Sequence, residues 1–209
     1  MPTKEQFLNA LKELRKEKKR RFDQTVDLII NLKEFDIKKD SINTAVALPY
    51  PAKKHKICAF LEKPSIIFDY VVAKTEFERI GKKDLKKIVK DYDFCVALAK
   101  LMPEIAKRFG RFLGSAGKMP DPKIGCVVPR EDNAIMSKLA ERLRKTVKIR
   151  TKEKSVKIAV GKESMPDEQI SENAAIVYNA VLAVLTKKKA SVKNVMLKFT
   201  MSKPVRVGE

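Results

Sequence analysis

Four of the seven glycines in this 209-residue chain fall between Gly110 and Gly125, in GRFLGSAGKMPDPKIG. Gly110, Gly114, Gly117 and Gly125 are interleaved there with Pro120, Pro122, Arg111, Lys118 and Lys123. Glycine lets backbone approach a neighbouring backbone or a phosphate closely, and proline fixes the turns between such approaches. The composition predicts a basic, rigid, irregular loop after a helix over Leu101 to Phe109. Two uses fit it equally: contact with a phosphate-bearing partner, or a connection that needs tight turns. Nucleotide hydrolysis is disfavoured. Gly114-Ser115-Ala116-Gly117-Lys118 resembles a phosphate loop only in part, because Phe112 and Met119 stand where the motif needs Gly and a Mg²⁺-binding hydroxyl. No GxGxxG opens the middle of the chain, and Glu62, after the apolar run ending at Leu61, would repel a pyrophosphate.

Other chemistry is thinly supported. The one histidine, His55, lies in a lysine-rich connector that predicts exposure, so no catalytic residue is assigned and the chain reads as a non-enzyme. Cys58, Cys95 and Cys126 are far apart and form no CxxC pair. They predict buried thiols in a reducing compartment, with no metal and no other cofactor.

Charge points to a polyanion. Lys and Arg number 46 against 26 Asp and Glu, a formal net charge of +20. Each phosphate neutralised by such a surface releases condensed counterions. Anionic membrane and a merely solvated surface are the competing readings. With no Trp and 7% aromatic residues, base stacking along a single strand is disfavoured. No run reaches the length of a membrane span, and the charged start lacks a signal-peptide core, so a cytoplasmic location is expected.

The elements that must position these groups change style along the chain. Thr3 and Gln6 form a capping-box pair ahead of Phe7, Leu8, Leu11 and Leu14, predicting a helix from Lys4 to Lys19. Its basic end, Arg15 to Arg21, is either a solvated helix end or a phosphate contact. Val26, Leu28, Ile30 and Leu32 alternate with Thr25, Asp27, Ile29 and Asn31 as a strand, and Ser41 to Leu48 form another. After Pro49-Tyr50-Pro51 the pattern becomes strand and helix in turn. Short apolar runs stand at Ile57–Leu61, Tyr70–Ala73 and Phe94–Ala99, with helices over Lys82–Asp91 and Asn133–Arg144. Beyond Lys148, strands at Val147–Thr151 and Ser155–Val160 flank the charged turn Lys152-Glu153-Lys154. A long helix runs from Asp167 to about Leu185, ahead of Lys187-Lys188-Lys189, and a last strand covers Val195 to Phe199. The reading is an α/β protein of two domains. Residues 1–50 and 149–209 form a discontinuous α+β domain, and residues 51–148 form an inserted, three-layer, Rossmann-like α/β domain.

Four segments in this order give a resemblance: Arg21-Phe22-Asp23-Gln24-Thr25-Val26-Asp27, Ala47-Leu48-Pro49, Gly110 to Lys123, and Thr200-Met201. Spread over nearly the whole length, they resemble the ribosomal protein L-one family of the mobile large-subunit stalk, in its archaeal form. The resemblance implies two α/β domains, the second inserted in the first. It implies that the first domain binds a kinked element of large-subunit ribosomal RNA and that the second lies over the exit site for deacylated tRNA. It also implies that the protein can bind its own messenger RNA as a translational repressor. The implied partners are RNA only, with no membrane, and the free protein is a monomer on the cytoplasmic ribosome. The implied RNA contacts are Arg21, Phe22, Thr25, Asp27, Lys198, Thr200, Met201 and Ser202. The implied second-domain loop is Arg111, Gly114, Gly117, Lys118 and Lys123. Phe22 offers a ring to a sugar or base, while the hydroxyls of Thr25 and Thr200 suit 2′-OH groups and Asp27 accepts from a 2′-OH or base amine. The sequence departs from the family at Ser202, where Gly is usual, and at Ser115-Ala116, where Pro-Arg is usual. A nucleotide-binding α/β enzyme remains the alternative of a different class.

Overall fold

The computed structural model describes residues 2–18, 20–33, 35, 42–151, 153–187 and 191–208. In chain order the elements are α1 (Lys4–Leu14), β1 (Thr25–Lys33), β2 (Asn43–Ala47), β3 (Ile57–Leu61), β4 (Tyr70–Ala73), α2 (Lys82–Asp91) and β5 (Phe94–Leu98). There follow α3 (Met102–Ser115), β6 (Val127–Val128), α4 (Asn133–Arg144), β7 (Thr146–Arg150), β8 (Ser155–Lys162), α5 (Asp167–Lys187), β9 (Ser191–Phe199) and β10 (Val205–Arg206). Mixed helix and strand make this an α/β protein. Lys19, Ser41, Lys152, Lys188 and Lys189, which figure in the expected elements, lie outside the described residues. Two compact units divide the chain: residues 1–52 with 147–209, and residues 53–146.

The first unit is an antiparallel sheet in the order β10-β9-β1-β8, with β2 and β7 as a separate pair. Alternation decides which face is covered. Val26, Leu28, Ile30 and Leu32 of β1 are buried with Val156, Ile158 and Val160 of β8 and Leu197 and Phe199 of β9. They pack with Phe7, Leu11 and Leu14 of α1 and with Ile170, Ala174, Val177, Val181 and Leu185 of α5. The intervening residues Thr25, Asp27, Ile29 and Asn31 face away and are only partly buried. Helix α5 comes so close to β8 that a Cβ on Gly161 would lie 2.8 Å from Ile170 Cγ1. Glycine leaves room for that approach, and a β-bulge between Val26 and Asp27 leaves Val160 as an extra residue beside Gly161.

Helix α1 begins as its sequence requires: the Thr3 backbone N–H donates to Gln6 Oε1 at 2.9 Å. It ends at Leu14, short of the expected Lys19. Beyond Leu14 no apolar residue is left to bury, and the clustered cations at 15–21 repel one another at helical spacing. Arg15 and Lys16 therefore form a turn rather than a further helical turn.

Where the chain leaves this unit, Asn173 of α5 fixes it. The side chain is fully buried. Its Nδ2 donates to the carbonyls of Tyr50 and Val160, and its Oδ1 accepts from Tyr50 N–H at 3.3 Å.

The second unit is a parallel sheet in the order β4-β3-β5-β6. Every residue of β3 and β5 is buried, as continuous apolar runs demand when both faces are covered. Cys58, Phe60, Val72, Cys95 and Ala97 meet Leu85 and Ile88 of α2 and Ile105, Phe109 and Leu113 of α3. Ile57, Ala59 and Leu61 point the other way, where α4 packs on β3. All three cysteines are buried and outside any disulfide, and the Cys58 thiol is pushed far up by its hydrogen bonding with Cys95 and by burial. Glu131 Oε1 accepts from the Glu62 backbone N–H at the carboxyl end of β3. A carboxylate thus occupies the crevice where an open α/β sheet would hold a nucleotide phosphate.

Two expectations are corrected here. Helix α3 does not stop at Phe109, because the buried stripe Ile105, Phe109, Leu113 carries it through Gly110 and Gly114 to Ser115. The first six of the sixteen residues of the glycine-rich window are therefore helix, with open space around Gly110 and Gly114. His55 is only partly exposed: its ring meets Phe94 edge-on, and Nδ1 lies 3.2 Å from Asp93 Oδ2 at ion-pair distance without hydrogen-bond alignment.

Candidate nucleic-acid interface

One end of the antiparallel sheet gathers residues from three distant stretches. Register places Thr25 opposite Lys162 and Val26 opposite Phe199, so the start of β1, the end of β8 and the end of β9 lie side by side. Gln24 is the hub of this end. It is 4% exposed. Its Nε2 donates to Glu163 Oε2 at 3.1 Å, its Oε1 accepts from Met201 N–H at 3.1 Å, and its carbonyl accepts from Glu163 N–H at 2.7 Å. Beside it, the Asp23 carboxylate accepts from Ser164 N–H and Oγ–H, both at 3.0 Å. Burial raises the Asp23 pKa, but the Ser164 bonds and Lys162 outweigh it, and the net direction is down.

Arg15 ties the same loop from the other side. Its Nε donates to Asp167 Oδ1 at 2.7 Å, and Nη2 donates to the carbonyls of Glu163 and Met165. A signal for Arg15 exists in the sequence: it stands four residues after Leu11, on the apolar face of α1. Nothing local marks Gln24, whose partners lie more than a hundred residues away.

The turn after β9 is closed from within. Ser202 N–H donates to the Phe199 carbonyl at 3.2 Å, and Ser202 Oγ accepts from Phe199 N–H at 2.8 Å. Ser202, where the resemblance leads one to expect glycine, therefore caps the strand end. Thr200 Oγ1 accepts from Thr25 N–H at 3.2 Å, while Thr25 O accepts from Thr200 N–H at 3.1 Å. The Thr200 hydroxyl thus holds the start of β1, leaving a remaining lone pair for a ligand. These bonds consume polar groups and leave two apolar side chains outside: Phe22 is 52% exposed and Met201 61% exposed.

Two adjoining clefts flank this end, of about 150 and 270 Å³. Both include Arg15, Arg20 and Glu163; the first reaches Lys18, Gln24, Met201 and Ser202, and the second Arg21, Phe22 and Ser164. Exposed, flat apolar groups set among guanidinium and ammonium groups suit stacked bases or sugars within a phosphate backbone. Asp27 and Lys198 lie opposite each other on the uncovered sheet face. Burial pushes the Asp27 carboxyl up, against the opposing effect of Lys198.

The raised Asp27 pKa gives a testable sign. A carboxyl held above its unfolded pKa stabilises the fold at low pH, and that contribution disappears as pH rises through the folded pKa. The charged form is thus a liability at pH 7. Asp27→Asn is expected to raise the melting temperature at pH 7, with the gain shrinking as pH falls toward the ordinary carboxylate range of about 4. A lower melting temperature at pH 7 would contradict the burial argument.

In the second unit the implied loop residues separate. Arg111 on α3 and Lys123 are exposed, and Gly114 sits on the open side of α3. Gly117, at φ +67, ends α3. Lys118 N–H reaches the Leu113 carbonyl and Gly117 N–H the Gly114 carbonyl, the two bonds of a Schellman cap. Lys118 is a correction. Its ammonium does not face outward but donates to the carbonyls of Val89 and Tyr92, at the C-terminal end of α2. A cation there opposes the helix dipole and satisfies carbonyls left over by the helix. Lys118→Met is expected to cost about 2 kcal/mol of stability in urea unfolding. RNA affinity should be unchanged, and a tenfold loss of it in the folded variant would return Lys118 to the interface. Asp121 and Pro122 carbonyls pin Ile124, Gly125 and Cys126, so the loop holding Lys123 is stiff.

Among the described residues no cluster of His, Cys, Asp or Glu could hold a metal, and no helix is long and apolar enough to cross a membrane. Comparison with known proteins bears on the whole chain. A sequence model of the ribosomal protein L1p/L10e family matches residues 14–203. The large ribosomal subunit protein uL1 of Nanoarchaeum equitans is 38% identical over 209 residues, covering 96% of this chain and 98% of that protein. The uL1 of Methanocaldococcus jannaschii is 38% identical over 216 residues, covering 98% and 95%.

Proposed function

We propose, from the premise that this chain belongs to the ribosomal protein L1p/L10e family, that it is a non-enzymatic constituent of the large ribosomal subunit on the cytoplasmic ribosome. Its first unit binds ribosomal RNA at the mobile stalk. The second unit, inserted between the two halves of the first, assists departure of deacylated tRNA through Arg111 and Lys123. The observation that carries the RNA reading is the pair of clefts at one sheet end, where exposed Phe22 and Met201 lie among Arg15, Lys18, Arg20 and Arg21. Cations position the backbone there, and the apolar side chains recognise an irregular RNA surface rather than base edges in a regular groove. Binding to its own messenger RNA is the second reading, supported by the same surface: nothing in it distinguishes a ribosomal bend from a messenger copy of that bend.

Crosslinking in cells followed by sequencing of the attached RNA tests the proposal. Large-subunit ribosomal RNA should dominate, with crosslinks at Phe22 and Met201. The double variant Phe22→Ser, Met201→Ser should lose at least about tenfold in affinity, since each stacked or packed contact contributes roughly 1–3 kcal/mol. Absence of the protein from sedimented large subunits would end the proposal.

A further inference from the structure

Tyr70 and Tyr92 stack in the second unit with ring centroids 5.5 Å apart and planes 22° apart. Tyr70 opens β4, and Tyr92 follows α2 directly. Together they close one end of a cavity of about 420 Å³ formed with α2 and residues 76–80. The size falls within the range of sites that hold a small group. Glu76, Asp84 and Asp91 bring three carboxylates to it, and Arg79 and Lys87 two cations. Asp84 accepts from Gly81 N–H. Among the described residues no side-chain hydrogen bond or ion pair engages Glu76, Arg79, Lys87 or Asp91. Tyr70 is 40% exposed. Strand β4 is the last in its sheet, so its outer edge has no strand partner among the described residues.

The local electrostatics run against the rest of the molecule. Burial raises the Tyr70 phenol first, and Glu76 and Asp84 raise it further; burial and then neighbouring groups including Asp91 and Asp69 raise Tyr92. In a chain of net charge +20 this is an electron-rich, carboxylate-lined recess, which disfavours phosphate. Among the described residues these carboxylates form no group that could hold a bare metal ion.

We infer that the recess is a receptor for one arginine side chain, presented by an extended segment of a protein partner. A guanidinium stacks on an aromatic face while its planar N–H groups meet carboxylates, here Tyr70 with Glu76 and Asp91. Arg79 and Lys87 donate to the carbonyls flanking that arginine. The free edge of β4 pairs with the backbone of the segment, the geometry by which a peptide adds a strand to a sheet. The inference does not depend on the RNA-binding role of the first unit.

The test is amide NMR on the full chain, titrated with N-acetyl-arginine methylamide, and with N-acetyl-glutamate methylamide and AMP as counter-probes. The arginine probe should shift residues 70–73 and 76–92 saturably, with a Kd on the order of 1 mM, as a single cation–aromatic contact with carboxylates gives. Tyr70→Leu should weaken it roughly tenfold. Glu76→Gln with Asp91→Asn should do the same while leaving both rings in place, and this pair keeps the test valid if Tyr70→Leu disturbs the fold. Three outcomes overturn the inference: no saturable shift, unaltered binding in the carboxamide pair, or AMP moving these signals while the arginine probe does not.

Discussion

Raising monovalent salt from 50 to 200 mM is expected to weaken RNA binding by roughly a thousandfold. The magnitude follows from the cations left free for phosphate. Arg15 is committed to Asp167 and Lys162 lies 3.7 Å from Asp23, so neither is counted. Lys16, Lys18, Arg20, Arg21, Lys198 and Lys203 remain around the sheet end. About six phosphate contacts give a logarithmic slope near −4 to −5. Removing Arg20 and Arg21 together, as Arg20→Ala with Arg21→Ala, should reduce that slope by roughly two. Filter binding or fluorescence anisotropy across a salt series reads both quantities. A flat response would leave the clefts without an electrostatic role, and a steep response unchanged in the double variant would move the phosphate contacts elsewhere.

Asn173→Ala is expected to destabilise the first unit by about 3 kcal/mol, because it strips partners from Tyr50 N–H and from the carbonyls of Tyr50 and Val160 in a buried place. Asn173→Asp should cost more, since a carboxylate would face two carbonyl oxygens with no proton to offer. Hydrogen exchange should show the loss in residues 1–52 and 147–208, while protection within 53–146 stays as in the unaltered chain. Urea unfolding should then separate into two transitions. A single transition shifted as a whole, or a cost below about 1 kcal/mol, would show that Asn173 does not fasten the exit of the chain at Tyr50.

The class of the fold was legible where burial leaves a local mark. The unbroken runs ICAFL and FCVAL announce strands covered on both faces, and β3 and β5 are buried throughout. The helices over Lys82–Asp91 and Asn133–Arg144 have the bounds that their periodicity gives. Errors arose where one local rule outweighed another. Glycine's helix-breaking cost was given more weight than the stripe Ile105, Phe109, Leu113, which holds α3 together across two glycines. The basic run after Leu14 kept helical charge spacing but had nothing to bury.

Within the candidate interface, charge was legible and partnership was not. Lys118 and Arg15 read alike as basic residues near a motif. Only the folded chain shows that Lys118 caps α2 and that Arg15 braces the 163–167 loop. Gln24 sits inside a recognised segment, yet its role depends on Glu163 and Met201, which are remote in sequence. Hydrogen bonds between such distant residues have no period or spacing by which one strand of text reveals them.

The position of β1 sets an order on biosynthesis. Among the described residues its two neighbours in the sheet, β8 and β9, come from the last part of the chain. At about 5–20 residues per second, β1 waits on the order of ten seconds after it is made before either neighbour emerges. Its apolar alternation lacks a sheet partner all that time, a hazard that nascent-chain chaperones exist to cover. A polypeptide released before Ser191 lacks β9 and the Phe199–Ser202 turn, so it cannot assemble the cleft that Phe199, Met201 and Ser202 line. On the proposed function, only chains that already carry β9 present the complete RNA surface.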